Sequence, residues 1–290
     1  MREEIKTWNM ALEDVNKRIV HKEYGFMNNL DFINLLFNDI NTGMQMQIYW
    51  RELLQSLHLA SVTALMRNQK WMQGVYYGTD YNNYIVFAAS LRGYLEAFVD
   101  SYYSTNFKFI SIAENFSDIS KALEGTLDRP FYSKEFEESL IHYYSASKTA
   151  NTKSYNAEFL DPLTARKYID AFDLPNSELK HQLYSELCEI VHPASSSVKC
   201  FTKEDNSGLY TIRTVNGKDS KLIDEMLERY SKLLKLVFKV SNAIPVVNLK
   251  TLNCFKESCI SSSYIENSLI SNISVIPGAW ETIAKKLVRT

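Results

Sequence analysis

The sequence predicts an all-α protein, a multi-helix bundle of about eight to ten helices. One extended segment or small β-hairpin is expected near residues 209–217. Three observations carry this expectation. Breakers are scarce, with 9 Gly and 6 Pro in 290 residues, which favours long helices over strands and turns. Apolar residues recur at three- and four-residue spacing along most of the chain. Hydrophobic residues make up 46%, enough for a core, and 18 Tyr and 15 Phe supply its bulk.

Taken in order, Glu3 to Val20 carries Ile5, Trp8, Leu12 and Val15 at helical spacing. A short helix is expected around Phe32, Leu35 and Leu36. A long one follows from Met44 to Trp71, with the arc Trp50, Leu53, Leu54, Leu57, Ala60, Ala64 and Leu65. Gly74 and the Gly78-Thr79-Asp80 cluster are expected to break the chain. The clearest helix runs from Tyr81 to Tyr103, its core arc holding Tyr84, Phe87, Ala88, Leu91, Leu95, Phe98 and Tyr102. One helix is expected over Ile110 to Leu123. Another is capped by Ser133, has Glu135, Glu137 and Glu138 in its first turn, and reaches Ser147.

The polar run Thr149 to Ser154 marks a boundary, giving an N-terminal helical lobe over 1–150 and a C-terminal lobe over 151–290 packed on it around one shared core. Asp161-Pro162 reads as cap and first turn of a short helix through Tyr168 and Phe172. The next helix opens at Pro175 to Glu178, aligns Leu179, Leu183, Leu187 and Val191, and ends at His192-Pro193. After Leu209 to Gly217, a long helix from Lys218 to Val240 should stop before Pro245, and a terminal helix is expected from Trp280 to Val288.

Net charge is -2, which argues against a bulk electrostatic grip on nucleic acid. No apolar region follows the first residues and no run approaches a membrane span, so neither a secretory signal nor a membrane partner is expected. Four cysteines, Cys188, Cys200, Cys254 and Cys259, suit a reduced cytoplasm better than a disulfide framework. The Cys254/Cys259 spacing lacks the further ligands that zinc requires, and no metal or cofactor is expected.

Candidate chemistry lies in three places. Arg92, Glu96 and Asp100, spaced i, i+4, i+8, share a stripe spanning roughly 80° of the helix, opposite the aromatic arc. It is either a solvated face or an Arg anchor held by its Glu. His192 ends a helix where the dipole favours an imidazolium, with Tyr184 and Cys188 two turns and one turn back and the small polar loop Ala194 to Ser197, including Ser195, following. It is either a capping histidine or part of a ligand site. Arg51 and His58 sit at the edge of the third apolar arc, seven residues or ~10 Å of rise apart, unable to touch on one straight helix but able to flank one phosphate. No P-loop, dinucleotide fingerprint, nucleophile elbow or zincin motif is present, and the sequence shows no internal repeat.

Two stretches, Phe87 to Glu96 and Tyr184 to Pro193, together form an Arg-x-x-x-Glu helix followed by a Tyr-x-x-Leu-Cys-x-x-Val-His-Pro helix. This pairing resembles poorly characterised bacterial helical proteins, some grouped with the HEPN-like superfamily and with abortive-infection or antiviral-defence genes. The resemblance covers about residues 50 to 200. The Arg51/His58 spacing lies at the long limit of the Arg-x4-6-His motif of HEPN ribonucleases, in which His serves as acid/base and Arg steadies the phosphate without a metal. The resemblance implies a helical effector or accessory protein of a defence or toxin–antitoxin system acting on RNA, and a homodimer. Arg92 would then bind phosphate, Glu96 orient it and His192 move a proton, with Tyr184, Asp100 and Ser195 alongside and Arg51 with His58 as a second choice. A non-catalytic interaction subunit and a helical nucleotide or small-molecule sensor are the alternatives.

Overall fold

Helices account for nearly every element in the computed structural model, which describes residues 1–19, 23–26, 41–146, 161–172, 177–193, 195–204, 206–212, 218–255, 262–274 and 279–288. The chain is all-α, as its periodicity predicts. The expected helix around Phe32 and the 149–154 linker lie outside the described residues, as do Cys259 and the start of the helix expected at Pro175.

The elements are α1 (Arg2–Arg18), α2 (Thr42–Asp80), α3 (Tyr84–Thr105), α4 (Lys108–Glu114), α5 (Phe116–Leu123), α6 (Lys134–Ser145), α7 (Ala165–Ala171), α8 (Ser177–Val191) and α9 (Ser195–Lys199). Then come β1 (Thr202–Glu204), β2 (Tyr210–Ile212), α10 (Lys218–Arg229), α11 (Ser231–Leu252), a 3-10 turn (Ser263–Ile265), α12 (Leu269–Ser274) and α13 (Ala279–Val288). The strands pair antiparallel, Thr202 with Ile212 and Glu204 with Tyr210. Of the extended segment or hairpin expected near 209–217, Tyr210–Ile212 is the second strand of a hairpin whose first strand is Thr202–Glu204; Gly208, at φ 79, lies between the strands, and residues 213–217 lie outside the described residues.

Several boundaries differ from the sequence expectation, each for a packing reason. The long helix continues through Gly74 and Gly78 to Asp80. A Cβ at Gly74 would meet Ser90 Oγ at 2.4 Å, and one at Gly78 would meet the Phe87 backbone nitrogen at 2.5 Å. These glycines let α3 approach α2 closely, a gain that outweighs the ~1 kcal/mol helix penalty of Gly. The chain then reverses at Asn82, φ 50, and Asn83 Oδ1 accepts from the Val86 N–H to cap α3.

The segment expected as one helix over 110–123 is two, with Asn115 (φ -112, ψ 20) between them. Ser133 is the cap residue of α6, but its backbone N–H donates to Tyr49 Oη and its hydroxyl makes no cap hydrogen bond. Thr164, rather than Asp161, caps α7, accepting from the Lys167 N–H. Pro245 lies inside α11 instead of ending the preceding helix. The lost backbone bond is tolerated because Ile244, Val246, Val247, Leu249 and Leu252 around it are all buried. The interruption falls earlier, at Tyr230 between α10 and α11.

Contacts group the chain into two compact units: Met1–Glu13, Met66–Asp100 and Leu163–Val240 form one, and Asp14–Leu65, Ser101–Pro162 and Ser241–Thr290 the other. The first is organised on α3, where Phe87, Ala88, Leu91, Tyr94 and Phe98 are fully or almost fully buried. Tyr94 meets Phe238 edge-on at 5.4 Å, and Phe98 meets Phe172 at 4.7 Å. In the second, Met46, Trp50, Leu53, Leu54 and Leu57 of α2 pack with Ile119, Phe136, Leu140 and Leu252. Burying each of these leucines contributes roughly 1.5–3 kcal/mol. A smaller cluster joins Ala113, Val247, Ile283 and Leu287.

Candidate functional site

Between Leu91 and Ser101 every residue of α3 is buried except Arg92, Glu96 and Asp100. The polar stripe is thus a narrow slot in an otherwise buried stretch of the helix, not a broad solvated face. On α8, Leu183, Leu187 and Ile190 are buried while Leu179 is 38% exposed, so the apolar arc is rotated from the one the leucine spacing predicts. Buried Lys180 takes the position on that arc, donating to the carbonyls of Asp170 and Phe172. The rotation brings Tyr184 and His192 alongside Arg92 and Glu96, all within the first unit.

The four side chains form one hydrogen-bonded cluster. Arg92 Nε donates to Glu96 Oε1 at 3.0 Å, and Tyr184 Oη donates to the same oxygen at 2.7 Å. Arg92 Nη1 donates to His192 Nε2 at 3.0 Å. The guanidinium carbon lies 5.8 Å from the centroid of the Tyr184 ring. Because a guanidinium only donates, His192 Nε2 must be an acceptor, so the ring is neutral and its proton sits on Nδ1. His192 is exposed and follows the last residue of α8, its N–H donating to the Cys188 carbonyl at 2.9 Å.

Burial works against the Arg92 charge, but Glu96, Cys188 and Tyr184 outweigh it and hold the guanidinium above its ordinary pKa. Burial, then Glu96 and Cys188, push the Tyr184 phenol well above its ordinary range. The cluster therefore presents a fixed cation, with 21% of the Arg92 side chain exposed, beside a neutral imidazole. Its remaining guanidinium protons suit an anion with several acceptor oxygens.

The other anticipated residues fall elsewhere. Asp100 pairs with Arg67 at 2.6 Å, drawing the stripe's third member away from the cluster. Ser195 begins α9, and its side chain lies outside the described residues. Arg51 is exposed, whereas His58 is buried with Tyr24 Oη 2.7 Å from Nδ1 and Ser262 Oγ 2.6 Å from Nε2. Both ring nitrogens of His58 are thus committed inside the second unit. Ser262, His58 and Tyr24 have the order of nucleophile, base and orienting group, but Ser262 is fully buried, out of reach of a substrate.

Sequence reading missed a cleft of about 220 Å³ in the second unit. Tyr49, Glu52, Leu53 and Ser56 of α2 line it at i, i+3, i+4, i+7. Glu137, Leu140, Ile141 and Tyr144 of α6 line it with the same spacing. That repeated helical stripe, each copy carrying one Glu and one Tyr, was the available signal. Among the described residues no group of three or more His, Cys, Asp and Glu is placed to hold a metal ion. Among them, too, no helix is long and apolar enough to cross a membrane.

No protein-family model, curated protein or solved structure matches the chain.

Proposed function

We propose that the chain is a HEPN-like helical effector or accessory protein of a bacterial antiviral-defence or toxin–antitoxin system, acting in the cytoplasm as a metal-independent ribonuclease. The Arg92–His192 contact carries this reading. A guanidinium beside a neutral imidazole joins a phosphate ligand to a proton acceptor. In the proposed reaction, an RNA phosphate draws Arg92 Nη1 from His192, and Glu96 keeps the guanidinium oriented. His192 Nε2, released from Arg92, takes the proton of the ribose 2′-hydroxyl. The 2′-oxygen bonds to phosphorus, the bond to the 5′-oxygen breaks, and water protonates the leaving oxygen. A 2′,3′-cyclic phosphate and a 5′-hydroxyl result. The reading requires no cofactor, and a homodimer would carry two such clusters.

Incubation of single-stranded RNA with purified protein and EDTA tests it. Cleavage yielding cyclic phosphate ends is expected, with Arg92→Ala and His192→Ala each slowing it by ~10²–10⁴-fold. The surface variant Lys221→Ala should cleave normally. Intact RNA with the wild type, or full activity in His192→Ala, overturns the ribonuclease reading.

A non-catalytic interaction subunit is the second reading, favoured by exposed aromatics at the C-terminal end of α2 and just beyond it. Tyr77 and Tyr81 are 46% and 77% exposed, with ring centroids 6.3 Å apart. Size-exclusion chromatography with the products of neighbouring genes should then show a stable complex, and separate elution of every partner counts against it.

A further inference from the structure

Trp71 of α2 meets α3 in an unusual way. A Cβ built at Gly93 would lie 2.6 Å from each of Cε3, Cζ3 and Cη2 of the Trp71 ring. These are consecutive atoms of the six-membered ring, so a point equidistant from them lies over the ring's centre, not beyond its edge. The indole therefore lies flat on the Gly93 backbone, where a side chain would displace it. One face of the ring is covered in this way, yet Trp71 remains 41% exposed. The other tryptophans are less open: Trp8 and Trp50 are buried and Trp280 is partly buried.

This flat ring borders the Arg92 cluster. Gly93 follows Arg92 directly, with Cα atoms about 3.8 Å apart. At 3.6 residues per turn, Gly93 lies only about 20° around α3 from Asp100, the last member of the polar stripe. On that side α2 closes the stripe, with Trp71 on Gly93 and Arg67 on Asp100. On the other side α8 closes it, with Tyr184 on Glu96 and His192 beside Arg92. Both carboxylates of the slot are ion-paired, Glu96 with Arg92 and Asp100 with Arg67. All of these residues belong to the first unit.

A flat, open aromatic face beside a guanidinium with donors to spare suits a nucleotide. The base stacks on the ring, and the phosphate accepts from the guanidinium. Free phosphate or a phosphorylated side chain would use Arg92 alone and leave the indole idle. We infer that Trp71 is a positioning residue for single-stranded RNA, stacking the base next to the phosphate held by Arg92. The inference rests on the RNA reading of that cluster and adds to it the residue that grips a base.

The probe is a short single-stranded 2′-O-methyl oligoadenylate, which lacks the 2′-hydroxyl and cannot be cleaved by the proposed route. Affinity for the full chain is read by anisotropy of an end-labelled strand, and stacking by quenching of tryptophan fluorescence with the unlabelled one. Wild type should bind with quenching. Trp71→Ala should bind ~5–100-fold more weakly. Trp71→Phe should keep most of the affinity but lose the quenching. Gly93→Ala, which pushes the indole off α3, should also weaken binding. An abasic strand of the same length should bind wild type weakly and lose little more in Trp71→Ala. Circular dichroism and Tm establish that the variants are folded. No binding by wild type would overturn both the RNA reading and this inference. Three results would overturn the inference alone: wild-type affinity in folded Trp71→Ala, full quenching in Trp71→Phe, or equal weakening of abasic and intact strands by Trp71→Ala.

Discussion

Arg92 Nη1 and His192 Nε2 lie 3.0 Å apart, joining α3 to the residue that follows α8. The contact fixes the imidazole's protonation, because Arg92 has no lone pair to offer. At neutral pH, ¹⁵N NMR of His192 should report the tautomer with its proton on Nδ1. Arg92→Ala should shift the population toward the other tautomer. A wild-type ring protonated on Nε2 would contradict the contact.

Close approach of α2 and α3 depends on Gly78. In Gly78→Ala the new methyl would meet the Phe87 backbone, which cannot rotate away as a side chain can. Stability should fall by ~1–3 kcal/mol in denaturant unfolding. At Gly25 an added Cβ meets nothing within 4 Å. Gly25→Ala should therefore stay within ~0.5 kcal/mol of wild type. Equal stability of the two variants would show that the helices do not approach as described.

His58 differs from Arg51 in what its removal should do. His58→Ala opens a cavity and strips partners from Tyr24 and Ser262, and should cost ~2–4 kcal/mol. Arg51→Ala, on an exposed face, should change stability by less than ~0.5 kcal/mol. Thermal unfolding of the two variants measures the contrast. If His58→Ala retains wild-type Tm, the buried network contributes nothing.

Glu137 supplies a pH test. Burial raises its pKa, the Tyr49 hydroxyl pulls it down, and Glu138 adds to the rise, leaving it above the ordinary carboxylate value. The folded protein therefore holds this proton to higher pH than the unfolded chain. As pH rises through the window from the unfolded to the folded pKa, the unfolded state binds fewer protons and the group costs stability. Glu137→Gln removes that cost, so its Tm should exceed that of wild type at pH 7. The difference should close at pH values below the ordinary carboxylate range. Because Glu137 is only partly buried and keeps contact with water, the gain will be small. A variant less stable than wild type at pH 7 would reverse the sign.

By itself the sequence determined the helical class and most buried positions. Ile5, Trp8, Leu12 and Val15 are all in the core, as is the whole α2 arc from Trp50 to Leu65. These follow from a 3.6-residue period, which is a local property of the chain. The Arg92/Glu96 pair was legible for the same reason, since i, i+4 neighbours share a face of any helix. What only tertiary structure decided depends on which other segment arrives. Gly74 and Gly78 read as breakers until a second helix needs their missing Cβ atoms. Pro245 reads as a stop, yet the buried residues around it keep α11 helical to Leu252. Asp100 belongs to the Arg92 stripe by spacing and to Arg67 by packing. The meeting of Arg92 with His192 depends on the rotation of α8, which period alone leaves open. Intrahelical spacing fixes which residues share a face, whereas long-range burial energy selects the partner that face meets.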